Sequence, residues 1–117
     1  MSHTASVQVQ FRDREALADA CRELGFALEH GSVTFYDEKT YSGDVIQLPG
    51  WQYPIVVETP ETVRMDHFDG RWGDMAHFSR LKHSYAVHAS IRAVERTGRR
   101  VLQRIEQNGH VQLVVQK

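Results

Sequence analysis

Seven histidines, His3, His30, His67, His77, His83, His88 and His110, are the residues of this 117-residue chain best suited to acid–base or metal chemistry near neutral pH. Zinc held by one helix needs ligands at spacings such as i, i+4, which put both rings on one face. His77, His83 and His88 are six and five residues apart, so successive rings turn to different faces. His67 and Asp69 alternate as if on one face of a strand and form a two-ligand fragment, but no third ligand accompanies them. No metal site is expected. His88 stands one helical turn after Tyr85 on an apolar stripe, where the two side chains can meet. Its plainest role is that of a core histidine bonded to a carbonyl; the sharper one is an acid–base group or ligand contact.

A second group is the polar turn Asp66-His67-Phe68-Asp69-Gly70-Arg71-Trp72-Gly73-Asp74. The glycines flanking Arg71-Trp72 let the backbone bend. Trp72 offers a stacking face and Arg71 a bidentate anion contact, while Asp74 is placed to cap a following helix and would oppose an anion there. The plain alternative is a loop whose Trp packs on the core. Arg71, Trp72, Tyr85 and His88 are therefore the expected ligand-binding set. The expected partner is a small anionic molecule such as a nucleotide.

The net charge of −1 conceals an asymmetry. Residues 1–70 hold five Lys/Arg against twelve Asp/Glu, a balance of −7, and residues 71–117 hold nine against three, a balance of +6. Opposed halves attract each other within one fold or across a homo-oligomer, and an oligomer is expected. Arg92, Arg96, Arg99, Arg100 and Arg104 form the alternative functional surface, a nucleic-acid footprint. The same cations complement the C-terminal end of a helix dipole, a purely structural reason for their presence. Tyr36, Tyr41, Trp51 and Tyr53 are a second candidate stacking surface, set in the acidic half where phosphates are repelled.

Other chemistry has little support. Cys21, the single cysteine, falls on a buried helix stripe and acts as a small hydrophobe. No nucleophile elbow, Walker loop or dinucleotide fingerprint is present, so no catalytic residue and no cofactor are assigned. An enzyme built on His88 or His67 with Tyr85 and a carboxylate is the remaining option, provided the groups converge. No apolar run approaches the ~20 residues that span a bilayer, and no secretory signal is seen. A cytoplasmic protein without a membrane partner is expected.

These groups need a scaffold. With 41% apolar and 25% charged residues, the composition is that of a globular domain, and the length suits one core spanning residues 1–117. Alternating Val7, Val9 and Phe11 predict a strand over Ala5–Phe11. Asp13 caps a helix over Arg14–Leu24, with Leu17, Ala20, Cys21 and Leu24 as its stripe and Gly25 as its end. Phe26–Glu29 and Ser32–Tyr36 read as strands about a turn at His30-Gly31. Asp44–Leu48, Ile55–Glu58 and Val63–Phe68 follow as strands. A long helix runs over Met75–Thr97, ended by Gly98. Val101–Glu106 and Val111–Val115 flank Asn108-Gly109, the strongest short hairpin signal. The fold class is α+β, in the order β-α-β-β-β-β-β-α-β-β, with two helices on one face of a largely antiparallel sheet.

Met1-Ser2-His3, Arg12-Asp13-Arg14-Glu15-Ala16-Leu17, Leu24-Gly25-Phe26, Trp72-Gly73, Tyr85-Ala86-x-His88 and Gly109-x-Val111-x-Leu113-Val114-Val115 also carry a resemblance. In this order and spacing they resemble the domain of unknown function 1257 family, which includes a hypothetical chloroplast and cyanobacterial open reading frame and is found in phages. The resemblance covers nearly the whole chain apart from residues 37–69. It implies no particular reaction, and it points to Trp72, Tyr85 and His88 as the positions to test.

Overall fold

A computed structural model describes residues 4–117. Met1, Ser2 and His3, the opening residues of the resemblance and the first of the seven histidines, lie outside the described residues. Strand β1 (Thr4–Gln8) leads to helix α1 (Arg14–Leu24). Four strands follow: β2 (Ala27–Thr34), β3 (Thr40–Gln47), β4 (Ile55–Thr59) and β5 (Thr62–Asp66). A short 3-10 turn (Phe68–Gly70) precedes helix α2 (Met75–Arg96), and β6 (Val101–Gln107) and β7 (His110–Val115) close the chain. The first five strands form one antiparallel sheet in the order β1-β5-β4-β3-β2, and β6-β7 form a separate two-stranded sheet. The protein is an α+β domain with two helices on one side of an antiparallel sheet, as its periodicity predicts.

The helix ends form where their capping chemistry places them. Asp13 accepts from the Ala16 amide at 3.1 Å, and Gly25 closes α1 with φ 75°. Asp74 accepts from the Ala76 amide at 2.9 Å at the start of α2. Leu17, Ala20 and Cys21 of α1 pack with Phe78, Leu81 and Tyr85 of α2 against Ile46, Val57, Val63 and Met65 of the sheet. Residues alternate across a strand, so Arg64, between Val63 and Met65, faces the side away from the helices.

Two local expectations give way. His30-Gly31 is not a turn; β2 runs straight through it, His30 pairing with Asp44 and Gly31 with Gly43. The reversal comes later, at residues 35–39. There the Phe35 amide donates to the Lys39 carbonyl, and the Asp37 side chain accepts from the Lys39 amide at 2.9 Å. A short Asx turn with Glu38 at φ 67° closes the hairpin without help from glycine. The region 62–68 also divides: the strand ends at Asp66, and the chain coils through Phe68 (φ 47°) and Asp69 (φ 51°). His67 and Asp69 therefore share no strand face. The His67 Nδ1 accepts from the Gly70 amide at 3.2 Å, so the ring caps the turn.

Candidate functional site

The turn that carries Arg71 and Trp72 is fixed by its backbone. The Trp72 amide donates to the His67 carbonyl at 2.9 Å, and the Trp72 carbonyl accepts from the Gln52 amide at 2.7 Å. Behind the turn stands Trp51, a core residue rather than the exposed stacker the sequence suggested. Its indole N–H donates to the Asp74 carbonyl at 3.1 Å, and Gly73 lies flat against its ring. Only a residue without a side chain fits there, so Gly73 serves close packing rather than an unusual backbone angle.

This anchoring turns Trp72 into a cluster of rings. Phe68 stacks on Trp72 with centroids 4.7 Å apart and planes 25° apart. Tyr36 approaches Trp72 at 5.5 Å and Tyr53 at 5.8 Å. Phe35 joins Tyr53 to Tyr41, at 5.8 and 5.5 Å. Two guanidiniums lie over the edges: Arg71 over Phe68 and Arg64 over Tyr41, each 5.0 Å from the ring centroid. Arg64 is also paired with Glu58 at 3.3 Å, whereas Arg71 is exposed. Tyr36 leaves 58% of its surface open to solvent, while Trp72, Tyr53, Tyr41 and Phe68 are half-buried. The sequence held the tyrosines and Trp72 in separate candidate groups. What joins them is the Asx turn at residues 35–39, which brings Tyr36 beside Trp72.

Tyr85 and His88 belong elsewhere. The Tyr85 hydroxyl accepts from the Asp13 amide at 2.9 Å, and its ring meets Phe11 edge-on at 4.9 Å. It buttresses the start of α1. The His88 Nε2 lies 3.4 Å from Glu23 Oε1. Among the described residues no ring contact, hydrogen bond or ion pair joins Tyr85 or His88 to Arg71 or Trp72, so the four do not form one site. His67, the other acid–base candidate, sits on the Trp51 side of the turn at 6.1 Å.

The basic series is divided as well. Arg92 donates to Asp19 and Glu15, both at 2.6 Å, and Arg96 to Asp13 at 2.7 Å. Arg104 donates to Glu23 and pairs with Glu106. The carboxylates respond. The Arg92 hydrogen bond holds Asp19 below its ordinary range, and Arg104, with the Ser84 hydroxyl, brings Glu23 down to about 2. Arg99 and Arg100 remain exposed beside Ile91, Glu95 and Val101. Three of the five arginines are thus committed to the acidic helix α1. The opposed halves of the sequence meet inside one chain.

Among the described residues no cluster of three metal-binding side chains occurs, and no helix is long and apolar enough to cross a membrane. Compared with family models, with curated proteins and with solved structures, the chain matches none.

Proposed function

We propose that this chain is a non-catalytic binding module whose receiving surface is the ring cluster centred on Trp72, with Arg71 as its anion contact. The preferred ligand is a planar ring bearing one anionic group, as in a nucleoside monophosphate. The observation that carries the reading is Tyr36: a large ring, mostly exposed, held against a half-buried tryptophan at the edge of the core. Open aromatic faces grouped in this way gain by covering one another or a flat ligand. Arg71 projects from the same turn and carries the fork geometry that phosphate oxygens accept.

The surrounding charge narrows the ligand. Asp37, Glu38 and Asp69 offset Lys39, Arg64 and Arg71 around the rings, so the surface lacks the positive excess that tracks a phosphate polymer. That favours a single small anion over a nucleic-acid strand. The resemblance noted in the sequence supports Trp72 as the position to test. Tyr85 and His88 have structural partners and take no part in this reading.

Titration with nucleoside monophosphates, the matching free nucleosides and inorganic phosphate tests it. Trp72 emission should quench with the monophosphates, weakly with the nucleosides and not with phosphate. Trp72→Leu should abolish the response while the buried Trp51 still reports a folded protein, and Arg71→Ala should reduce the monophosphates to the level of the nucleosides. Equal responses in wild type and Trp72→Leu would remove the surface from consideration.

A further inference from the structure

The closing hairpin stands apart from the five-stranded sheet. A two-stranded sheet standing alone is marginal in water, and among the described residues β6 and β7 pair only with each other. One face rests on α2, where Val111 and Leu113 line a 250 Å³ cavity with Ala86, Val87 and Ser90. The β6 side is also occupied, because Arg104 reaches Glu23 in the last turn of α1. Among the described residues, no strand lies beside the outer edge of β7.

That edge is uncharged in a chain with 25% charged residues. From Val111 to Gln116 it reads Val-Gln-Leu-Val-Val-Gln, with no charge, proline or glycine. Exposed strand edges are ordinarily protected by such residues. Its hydrogen-bonding direction follows from the pairing. Gln107 opposes His110 across the two-residue turn, and the Gln116 amide donates to the Arg100 carbonyl at 2.9 Å. In an antiparallel ladder alternate residues bond to the same neighbour, so the amides and carbonyls of Val111, Leu113 and Val115 point away from β6.

We propose that the β7 edge pairs with the β7 edge of a second copy of this chain, antiparallel about a two-fold axis at Leu113, joining two hairpins into one four-stranded sheet. In this register Leu113 faces Leu113, Val111 faces Val115 and Gln112 faces Val114 of the other copy. On the order of six backbone hydrogen bonds form. Val111, Leu113 and Val115 of both copies make a continuous apolar strip on the side of the two α2 helices. Outside the neutral segment, His110 meets Gln116 and Lys117 meets Gly109, so no like charges come together. The strand is self-complementary, as an isologous interface requires. This inference is independent of the ring cluster and of any ligand.

Light scattering after gel filtration, from low micromolar to millimolar chain, should give twice the monomer mass at the upper end. Gln112→Lys with Val114→Lys, placed on the outer face away from α2, puts lysine opposite lysine twice; that variant should stay monomeric with unchanged circular dichroism. The matching double glutamate variant should also be monomeric, and an equal mixture of the two should regain the double mass. Hydrogen exchange of wild type should show the Val111, Leu113 and Val115 amides protected at high concentration and exposed on dilution. A wild type monomeric throughout, charge variants that still dimerise, or a mixture that stays monomeric would each overturn the proposal.

Discussion

Replacing Gly73 by alanine should destabilise the protein more than its modest change in volume suggests. A Cβ at this position would stand 2.5 Å from Cε2 and 2.7 Å from Cε3 of Trp51, and closer still to Cδ2. Carbon atoms in good contact sit ~3.5–4.0 Å apart, so about an ångström of movement is demanded. Neither partner yields easily. Trp51 is buried and its indole N–H is bonded to the Asp74 carbonyl, while the turn is pinned by the Trp72 bonds to His67 and Gln52. Overpacking of this kind costs about 1–3 kcal/mol, and in a domain of this size each kcal/mol lowers the melting temperature by roughly 4 °C. Gly31→Ala is the control. It lies in a strand without a positive φ, and the nearest atom to its added Cβ is Val45 Cγ2 at an ordinary 3.9 Å. It should leave stability within about 1 kcal/mol of wild type, or raise it slightly by stiffening the unfolded chain. Urea unfolding followed by circular dichroism and by tryptophan emission measures both variants. If Gly73→Ala unfolds together with Gly31→Ala, then Trp51 and the turn are not locked, and the account of how Trp72 is held in place is wrong.

Glu23, held at about 2 by Arg104 and by Ser84, has a folded value below its ordinary 4.5. Its contribution is complete above about 4.5 and lost as pH falls through about 2; in that window the β6–β7 amides should lose exchange protection before those of the main sheet, and Glu23→Gln should flatten the dependence. Cys21, buried and also near the Asp44 charge, has its thiol pushed up to about 11. It should resist disulfide reagents at mildly alkaline pH until the protein unfolds, and prompt labelling of native protein would show that α1 opens readily. Tyr85→Phe removes the acceptor of the Asp13 amide and should cost about 1 kcal/mol in chemical unfolding, without altering any response of Trp72 to ligands.

The elements were legible where one local rule governed them. Asp13 and Asp74 before apolar helical stripes, Gly25 after one, and Asn108-Gly109 between alternating runs each specify their structure within a few residues. Legibility failed where a long-range partner decided. His30-Gly31 looks like a turn, yet pairing of Ala27–Thr34 with Thr40–Gln47 along its full length outweighs the local freedom of one glycine. Trp51 has the flanking polar residues of an exposed ring, and its burial depends on Gly73, more than twenty positions away. Tyr85 and His88 share a helical stripe with core residues, which sequence cannot separate from a stripe facing a ligand.

The fold uses the charged and the aromatic residues differently. A run of arginines is consistent with a nucleic-acid surface or with a partner inside the chain, and only geometry distinguishes them. Here α1 presents Asp13, Glu15, Asp19 and Glu23 to Arg92, Arg96 and Arg104, which ties the helices together and ties the hairpin to α1. Charges answered in this way are drawn out of the solvent-facing field and leave little of it for a polyanion. The rings around Trp72 pack on one another, and Tyr36 among them keeps 58% of its surface open to solvent. The outward amides and carbonyls of the β7 edge meet no strand among the described residues. The proposed aromatic surface and the neutral β7 edge arise from separate parts of the chain, so the proposed binding and the proposed self-association can be altered one without the other.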